Sequence, residues 1–236
     1  MKNIRIALLS TQKSEILGHV INKFIEYDIK IDSIIFDSKL PSDKHYQIWD
    51  ERTNGNIPFI HLDNFEKLFT PCYYFKNHSS TVTAEFVKDN EISILVNAGT
   101  PRILKQNLLK APSIGVINCH PGILPYFRGC TSVEWAIYFD KPVGNTVHLM
   151  SEKIDEGPIL SKETINFSKS DSYSDIRVKV YKHGFDLLAR SIKNYIHNPY
   201  LNNNYEKNGD YYNVIDDQKM KKVIEKLNSG SYKYQL

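Results

Sequence analysis

The chain has 236 residues, a length that fits one large domain or one catalytic domain with a small appendage. Hydrophobic residues make up 41% of it and charged residues 24%, a composition that excludes an intrinsically disordered protein. The net charge is only +3 and the basic residues are scattered, so the sequence lacks the concentrated basic patch that nucleic-acid binding requires.

No apolar run approaches the roughly 18 residues that cross a bilayer. Residues 6–9 form a short apolar stretch near the N-terminus, but no small-residue cleavage site follows it, so it does not fit a signal peptide. The three cysteines have no metal-type spacing and cannot all pair, as expected for free thiols in a reducing compartment. We therefore expect a cytoplasmic protein with no metal site and no contact with membranes or nucleic acid.

The first half of the chain alternates between strand-like and helix-like segments. In chain order, the apolar runs and periodicities predict strand 4–9, helix 14–27, strand 31–36, a polar surface loop 37–55, strand 57–61, helix 81–90, strand 92–97, helix 101–109 and strand 113–118. This rhythm predicts an α/β fold: a Rossmann-like, mostly parallel twisted sheet with helices on both faces. Ligands bind beyond the carboxyl ends of the strands in such sheets, where residues 97–102 and 118–129 lie.

The rest of the chain continues the core and ends in a smaller unit. The patterns predict helix 131–139, strands 143–150 and 158–167, and a long helix 172–197, followed by an Asn-rich loop, a strand near 211–215 and a helix over 216–227. We therefore expect a catalytic domain over residues 1–200 and a short C-terminal appendage, a strand plus a helix, over residues 201–236.

One segment combines chemically active side chains with the end of a buried strand. It reads VINCHPGILPYFRG over residues 116–129. Asn118 and His120 are two residues apart, so their side chains point the same way in an extended chain. An amide and an imidazole that converge on one point can stabilise a developing oxyanion and handle a proton. Further along, Asp155 lies in the turn sequence IDEGPI, and a carboxylate aimed at an imidazole raises its basicity and fixes its tautomer.

Each of these residues also has a plainer explanation when taken singly. An Asn or a His at a strand end often caps a loop, and an acid before Gly-Pro often stabilises a turn. The combination is far more specific than its parts. It resembles the formyltetrahydrofolate-dependent formyltransferase family, through N-x-H-P-G-x-L-P-x-x-R-G over residues 118–129 and I-D-x-G-P-I over residues 154–159. Register across residues 92–166 supports the resemblance, which implies that Asn118, His120 and Asp155 are catalytic.

The resemblance also implies the reaction. An amine attacks the formyl carbon of 10-formyltetrahydrofolate, and Asn118 with a protonated His120 stabilises the oxyanion of the resulting tetrahedral intermediate. Asp155 supports the imidazole charge and helps to remove a proton. Much of the rate comes from holding the amine and the formyl donor together, and the reaction requires no metal.

The family's folate pocket corresponds here to residues 99–104 and 151–155. The resemblance implies folate contacts, many of them through the backbone, from five residues: Arg102, Ile103, Leu104, Ser151 and Ile154. For Ile103 and Leu104, a role as ordinary core residues remains an alternative.

Three branches of the family differ in the amine that they formylate. Glycinamide ribonucleotide formyltransferases carry a Gly- and Asn-rich phosphate loop after the first strand, whereas residues 10–14 read STQKS, without a Gly, which disfavours close backbone approach to a phosphomonoester. Methionyl-tRNA formyltransferases carry a long basic C-terminal domain, which residues 205–236 do not match. Sugar N-formyltransferases, which act on nucleotide-linked amino sugars and keep a short appendage, fit best. Similarity to that branch implies a homodimer.

For this branch we expect substrate contacts from four residues: Lys13, Tyr126, Arg128 and Trp135. The aromatic rings suit a base or a pyranose, and the two cations suit a diphosphate. Trp135 fits the core face of a helix equally well, and Tyr46 and Trp49 are further stacking candidates. The single substrate class that fits best is a dTDP-4-amino-4,6-dideoxyhexose, used in bacterial surface polysaccharides such as O-antigen.

Three alternatives remain at this stage. The first is a phosphoribosylglycinamide formyltransferase or another enzyme that formylates a small amine. The second is a catalytically silent folate- or nucleotide-binding module on the same fold, which the intact Asn118, His120 and Asp155 set argues against. The third is a folate hydrolase, in which water replaces the amine.

Overall fold

The computed structural model describes residues 4–65, 70–198 and 209–236. The strands in these ranges are β1 (Ile6–Thr11), β2 (Ser33–Asp37), β3 (Cys72–Phe75), β4 (Ile94–Asn97), β5 (Gly115–His120), β6 (Phe127–Gly129), β7 (Gly144–Leu149), β8 (Ile159–Thr164) and β9 (Asp210–Tyr212). The helices are α1 (Leu17–Glu26), α2 (Asp43–Thr53), α3 (Thr81–Asp89), α4 (Gln106–Leu109), α5 (Ser132–Tyr138), α6 (Tyr173–His197) and α7 (Asp217–Asn228). None of the helices in the described ranges is both long and apolar enough to span a bilayer.

The main sheet has seven strands in the order β3-β2-β1-β4-β5-β7-β8. The five strands from β3 to β5 are parallel, and β7 and β8 are antiparallel to their neighbours. The predicted Rossmann-like, mostly parallel sheet is therefore confirmed.

Helices cover both faces of this sheet. Alternate residues of a strand point to opposite faces, so Leu8 packs in one core with α1 and α6, whereas Leu9 packs in another with α3 and α4. Both leucines are fully buried. The near-continuous apolar runs that predicted the central strands arise from this two-sided burial.

The strand order places a crevice between β1 and β4. From β1 the chain continues to β2 on one side, and from β4 it continues to β5 on the other, so the direction of winding reverses between these two neighbours. In open parallel sheets, ligands bind beyond the carboxyl ends of the strands at such a reversal.

A second hydrophobic core joins the C-terminal segment to the catalytic unit. It contains residues of α5, α7 and the first half of α6, among them Val133, Ile176, Val180 and Val223. Strand β9 pairs in parallel with β6, which forms the last three residues of the motif over residues 118–129. The predicted appendage of a strand plus a helix is present as β9 and α7, whereas the predicted boundary between residues 200 and 201 lies outside the described residues.

Two predictions of secondary structure between residues 37 and 61 are wrong. The polar loop over residues 37–55 contains helix α2, which begins after the N-cap Ser42, whose hydroxyl accepts a hydrogen bond from the amide of His45. Only Thr53 of this helix is buried, so its sequence lacks the apolar periodicity by which helices are recognised. Residues 57–61, predicted as a strand, have irregular structure. The strand at this edge of the sheet is β3 instead, and alternate residues of it are exposed.

The helix predicted over residues 101–109 is also shorter than expected, because only α4 is helical. Residues 101–105 form an irregular segment. The amide of Lys105, at its end, donates a hydrogen bond to the Ser79 hydroxyl. This segment forms a wall of the site described next.

Candidate active site

The structure brings Asn118, His120 and Asp155 together at the carboxyl end of β5. Asn118 and His120 lie on that strand, and Asp155 lies in the loop between β7 and β8. The two atoms that face each other across the site, Oδ2 of Asp155 and Nδ1 of His120, are 3.4 Å apart. The antiparallel pairing of β7 with β5 carries this loop back to the motif.

The carboxylate of Asp155 is held by its backbone and by the motif itself. Asp155 has a φ of 55°, in the left-handed region that a non-Gly residue adopts only when its surroundings impose it. Its Oδ2 accepts a hydrogen bond of 2.8 Å from the amide of Gly129. Its other oxygen lies 3.6 Å from Nε2 of His148. The acid therefore lies between two imidazole rings and is held by the Gly129 amide.

Both ring nitrogens of His120 face hydrogen-bond acceptors. The Nε2 atom lies 2.6 Å from the carbonyl oxygen of Phe127, so Nε2 must carry a proton and donate it. The Nδ1 atom faces the Asp155 carboxylate, and the Ser132 hydroxyl lies 3.1 Å from Nε2. The buried ring of His120 therefore lies between a carbonyl acceptor on one side and a carboxylate on the other.

The amide of Asn118 is oriented by His148, a residue that the sequence analysis missed. Burial lowers the pKa of His148 to about 4, although the nearby Asp155 carboxylate acts in the opposite direction. The ring is therefore neutral at pH 7, and its Nδ1–H donates to the carbonyl of Leu149 (3.0 Å). Its Nε2 is then an acceptor for an N–H of Asn118, whose Nδ2 lies 3.2 Å away.

A second residue, Asn97, fixes the other end of the same amide. The Oδ1 atom of Asn97 accepts hydrogen bonds from the backbone amides of Gly99 and Thr100. Its Nδ2 must then be the donor to Oδ1 of Asn118, at 2.9 Å. The contacts with Asn97 and His148 thus agree on which end of the Asn118 amide is the oxygen and which is the nitrogen. The available signals were the position of Asn97 at a predicted strand end and a histidine near the end of the predicted strand 143–150.

The five residues predicted to contact folate line one cavity of about 350 Å³, together with Asp155 and His148. Ile103 is 76% exposed, so it is not a core residue, whereas Leu104 is 5% exposed and belongs to the hydrophobic core. Ile154 is also an exposed apolar side chain at this cavity. Apolar side chains left uncovered at the mouth of a cavity are typical of a ligand site.

Arg102 is held at the edge of this cavity by a buried acid. Its Nε donates to Oδ2 of Asp37 (2.7 Å), and its Nη2 donates to the carbonyl of Lys76. Burial opposes the ionisation of Asp37, but hydrogen bonds from Arg102 and from the backbone amides of His78 and Lys39 hold the pKa of this carboxyl below its usual value. Asp37 therefore remains a carboxylate and fixes the guanidinium.

Two further cavities adjoin the folate-side cavity and share lining residues with it. A small one of about 150 Å³ is lined by Asn97 and Asn118. It shares Ile16 and Tyr181 with a larger one of about 590 Å³, which lies at the carboxyl ends of β1 and β4. Asn118 and its neighbour Asn97 thus stand between the folate-side cavity and a second space at the topological reversal of the sheet.

The four residues predicted to contact the amine substrate lie elsewhere. Lys13 is exposed, and Tyr126 lines another cavity of about 830 Å³. The guanidinium of Arg128 pairs with Glu156. Trp135 belongs to the second core, where its indole N–H donates to the carbonyl of Asn213. None of the four lines the cavity of about 350 Å³ that contains Asp155 or the cavity of about 150 Å³ that contains Asn118, and their contacts with substrate stay predictions.

The arrangement suits acyl transfer without a metal ligand set of its own. An oriented amide and an imidazolium can stabilise negative charge on a carbonyl oxygen, and a fixed carboxylate can keep the imidazolium in place. Among the described residues, no group of three or more His, Cys, Asp or Glu side chains is arranged to hold a metal ion.

Comparison with known proteins places this site in a family. Residues 4–192 match the family model described as formyl transferase. Methionyl-tRNA formyltransferase from Trichodesmium erythraeum (strain IMS101) is 32% identical over 111 residues, which are 47% of this chain and 33% of that protein. Among the most similar curated relatives the matched region covers only 19% to 42% of the relative's length.

Solved structures of the same fold include enzymes that act on different amines. A sugar N-formyltransferase from Shewanella sp FDAARGOS_354 superposes with a TM-score of 0.62 at 21% identity, covering 91% of this chain and 78% of the other. Phosphoribosylglycinamide formyltransferase from Streptococcus pneumoniae TIGR4 superposes with a TM-score of 0.61 at 17% identity, covering 82% and 99%. The family model spans most of the chain, so this protein belongs to the formyl transferase family.

Proposed function

We propose that the protein transfers a formyl group from 10-formyltetrahydrofolate to the amine of a nucleotide-linked amino sugar. The observation that carries this proposal is the convergence of Asn118, His120 and Asp155 between two cavities. A transfer reaction needs a donor and an acceptor on either side of the reacting atoms, and this cleft offers both spaces.

The cavity of about 350 Å³ supports a folate as the donor. The exposed Ile103 and Ile154 offer an apolar surface for a flat heteroaromatic ring, and the irregular backbone around them offers amide and carbonyl groups for its polar edge. Arg102, fixed by Asp37, adds a cation at the rim. When bound there, the folate would supply the formyl group.

The residues of this chain would then have distinct roles. His148 takes one of the two amide hydrogens of Asn118, and the other has no partner among the described residues, so it can donate to the oxygen on which negative charge develops. A protonated His120 would add positive charge, since both of its ring nitrogens already face protein acceptors. Asp155, which lines the folate-side cavity, supports the charge of His120, and its carboxylate can itself take up the proton that the attacking amine loses.

An amino sugar joined to a nucleotide is the acceptor that we propose, and the substrate class that we propose is a dTDP-4-amino-4,6-dideoxyhexose. The aromatic rings of Trp49 and Tyr181 line the cavity of about 590 Å³ and can pack on a pyranose. The absence of Gly from residues 10–14 disfavours a phosphate loop of the glycinamide ribonucleotide type. Synthesis of bacterial surface polysaccharide such as O-antigen, a location in the cytoplasm and a homodimer are parts of the same proposal.

A second candidate is the formylation of phosphoribosylglycinamide. The fold of a phosphoribosylglycinamide formyltransferase matches this chain nearly as well as that of a sugar N-formyltransferase. The two candidates differ in the acceptor alone.

Incubation with 10-formyltetrahydrofolate and a panel of acceptors tests the proposal. The panel contains dTDP- and UDP-linked 3-amino and 4-amino sugars and glycinamide ribonucleotide, with mass analysis of the products. We expect a mass gain of one formyl group on a nucleotide-linked amino sugar. Formylation of glycinamide ribonucleotide alone would show that the sugar assignment is wrong, and release of formate without any amine would indicate a hydrolase.

A further inference from the structure

A buried carboxylate with one unpaired oxygen lies in the cavity of about 590 Å³. Glu15 is only 6% exposed and lines this cavity. Its Oε2 lies 3.1 Å from Nε2 of His45, whereas its Oε1 has no hydrogen-bond partner among the described residues. Leaving a buried charged acceptor unpaired is costly. A carboxylate in the wall of a cavity whose second oxygen has no protein partner among the described residues indicates a ligand that donates a hydrogen bond to it.

Two cations line the same cavity without a full set of protein partners. In the described residues, no carboxylate lies within ion-pair distance of the Lys39 ammonium. Among the described residues, Arg52 approaches a carboxylate through Nε alone, which lies 3.8 Å from Oε1 of Glu134, so its two terminal nitrogens can bind a ligand. Glu15 is the single acid among the described residues that line the cavity. The cavity therefore has an excess of positive charge around one carboxylate.

The strand order arranges these groups in a line. Asn118 is on β5, Glu15 follows β1, and Lys39 follows β2, in a sheet whose order is β2-β1-β4-β5. Neighbouring strands are about 4.8 Å apart, so the span from Asn118 to Lys39 is roughly 15 Å, with Glu15 between them. Ile16, the neighbour of Glu15, lines both this cavity and the one that contains Asn118.

We infer that Glu15 and Lys39 recognise two different parts of the acceptor: Oε1 of Glu15 accepts a hydrogen bond from a hydroxyl or amine of the sugar, and Lys39, with Arg52, binds the phosphate groups. The inference rests on the proposed function and adds the residues that bind each part of the substrate. The reacting amine lies at Asn118, the sugar at Glu15, and the diphosphate farthest away, beyond β2.

Calorimetric binding to the full chain separates these two roles, because one probe can lack the sugar. Thymidine diphosphate and a dTDP-linked 4-amino sugar are titrated into the wild type and into Glu15→Ala, Glu15→Gln and Lys39→Gln. We expect Lys39→Gln to weaken both ligands about 10-fold, since both carry phosphates. We expect Glu15→Ala to weaken the linked sugar about 10-fold and to leave thymidine diphosphate unchanged, since only the sugar donates to Oε1.

Matched controls come from the same part of the chain. Glu26→Gln and Lys30→Gln change exposed members of surface ion pairs, and both should bind the two ligands as the wild type does. If Glu15→Ala does not fold, Glu15→Gln decides, because it keeps the size of the side chain while replacing one carboxylate oxygen by an amide donor. Folding is checked by the melting temperature.

Several outcomes would overturn the inference. They are wild-type affinity for the linked sugar in the Glu15 variants, wild-type affinity for thymidine diphosphate in Lys39→Gln, and no binding of thymidine diphosphate to the wild type. Failure of the proposed function looks different: the expected pattern of binding would be present, but no formyl group would reach the bound sugar when 10-formyltetrahydrofolate is added.

Discussion

At the scale of single residues, the site depends on donors whose directions are fixed before any ligand binds. The amide of Asn118 is tied on one side to Asn97 and on the other to His148, and the ring of His120 is tied to Phe127 and Asp155. Preorganised donors stabilise developing charge without having to reorient during the reaction.

Replacing the two motif residues should separate chemistry from folate binding. We expect Asn118→Ala and His120→Ala to lower kcat by at least about 100-fold, the loss typical of removing one oxyanion donor. Folate binding, measured by fluorescence, should stay detectable because neither residue lines the folate-side cavity. The exposed His61→Ala is the control. Near-normal turnover in either motif variant would remove the role assigned to that residue.

His148 should act through Asn118 and not on the substrate directly. Without its Nε2 acceptor, the Asn118 amide loses one of the two contacts that orient it. We expect His148→Ala to lower kcat about 10-fold while the KM for the folate changes less than about 2-fold, as for other residues that orient catalytic groups. Steady-state kinetics at pH 7 measure both. A rise in KM with an unchanged kcat would contradict this positioning role.

The same histidine should make the stability of the protein depend on pH. Burial lowers the pKa of His148 to about 4, and burial also lowers the pKa of His19 and His78. Between about pH 4 and the ordinary histidine value near 6.5, the unfolded chain binds protons that the folded chain does not, so stability falls as the pH is lowered through this window. Each such histidine contributes up to about 1.4 kcal/mol per pH unit.

Urea unfolding at several pH values tests this dependence. We expect the free energy of unfolding of the wild type to fall steadily from pH 6.5 to 4.5, and the slope to be smaller in His148→Ala. Equal slopes in the two proteins would show that His148 titrates normally in the folded state.

At the scale of elements, the loop between β7 and β8 can carry Asp155 into the site only because it closes tightly. A Cβ added to Gly157 would lie 1.6 Å from the carbonyl oxygen of Leu149, so a side chain at this position must displace backbone. The amide of Leu149 also donates to the carbonyl of Pro158 across this closure (2.9 Å).

Gly157→Ala should therefore weaken both the fold and the reaction. We expect a loss of about 1–3 kcal/mol in the free energy of unfolding, as for other overpacked sites, and a fall in kcat because Asp155 moves away from His120. Gly230→Ala is the matched control: nothing lies within 4 Å of its added Cβ, and it has only the strain of a φ of +64°. Equal effects of the two substitutions on kcat would contradict the role of the closure.

At the scale of the whole molecule, helix α6 connects two cores. Its residues Ile176 and Val180 pack in the second core with α5 and α7, whereas Leu188 and Ile192 pack against the sheet. A continuous helix shared by two cores couples their unfolding, because neither core can lose the helix without exposing apolar surface in the other.

The two tryptophans of the sequence provide one reporter for each core. Trp49 packs against the sheet core and Trp135 lies in the second core. Trp49→Phe and Trp135→Phe each leave one tryptophan as the fluorescent reporter. For each variant, we expect the urea midpoint measured by fluorescence to equal the midpoint measured by circular dichroism. A fluorescence midpoint that departs from the circular dichroism midpoint would show that the C-terminal segment unfolds as a separate domain.

The sequence by itself determined the class of the fold and the three residues that the family motif carries. Strands buried on both faces are recognisable because their apolar runs are local, and Asn118 and His120 are two residues apart on one strand. The polar helix α2 could not be recognised in this way, because it buries so little that no apolar period marks it.

Only the tertiary structure decided which residues complete the site. The chain of hydrogen bonds from Asn97 through Asn118 to His148 joins three strands that are neighbours in space but lie 21 and 30 residues apart in the sequence. Glu15 and Lys39 face one cavity for the same reason, because the order of the strands brings their loops together. Such contacts depend on the packing of distant segments, which local patterns in a single sequence do not encode.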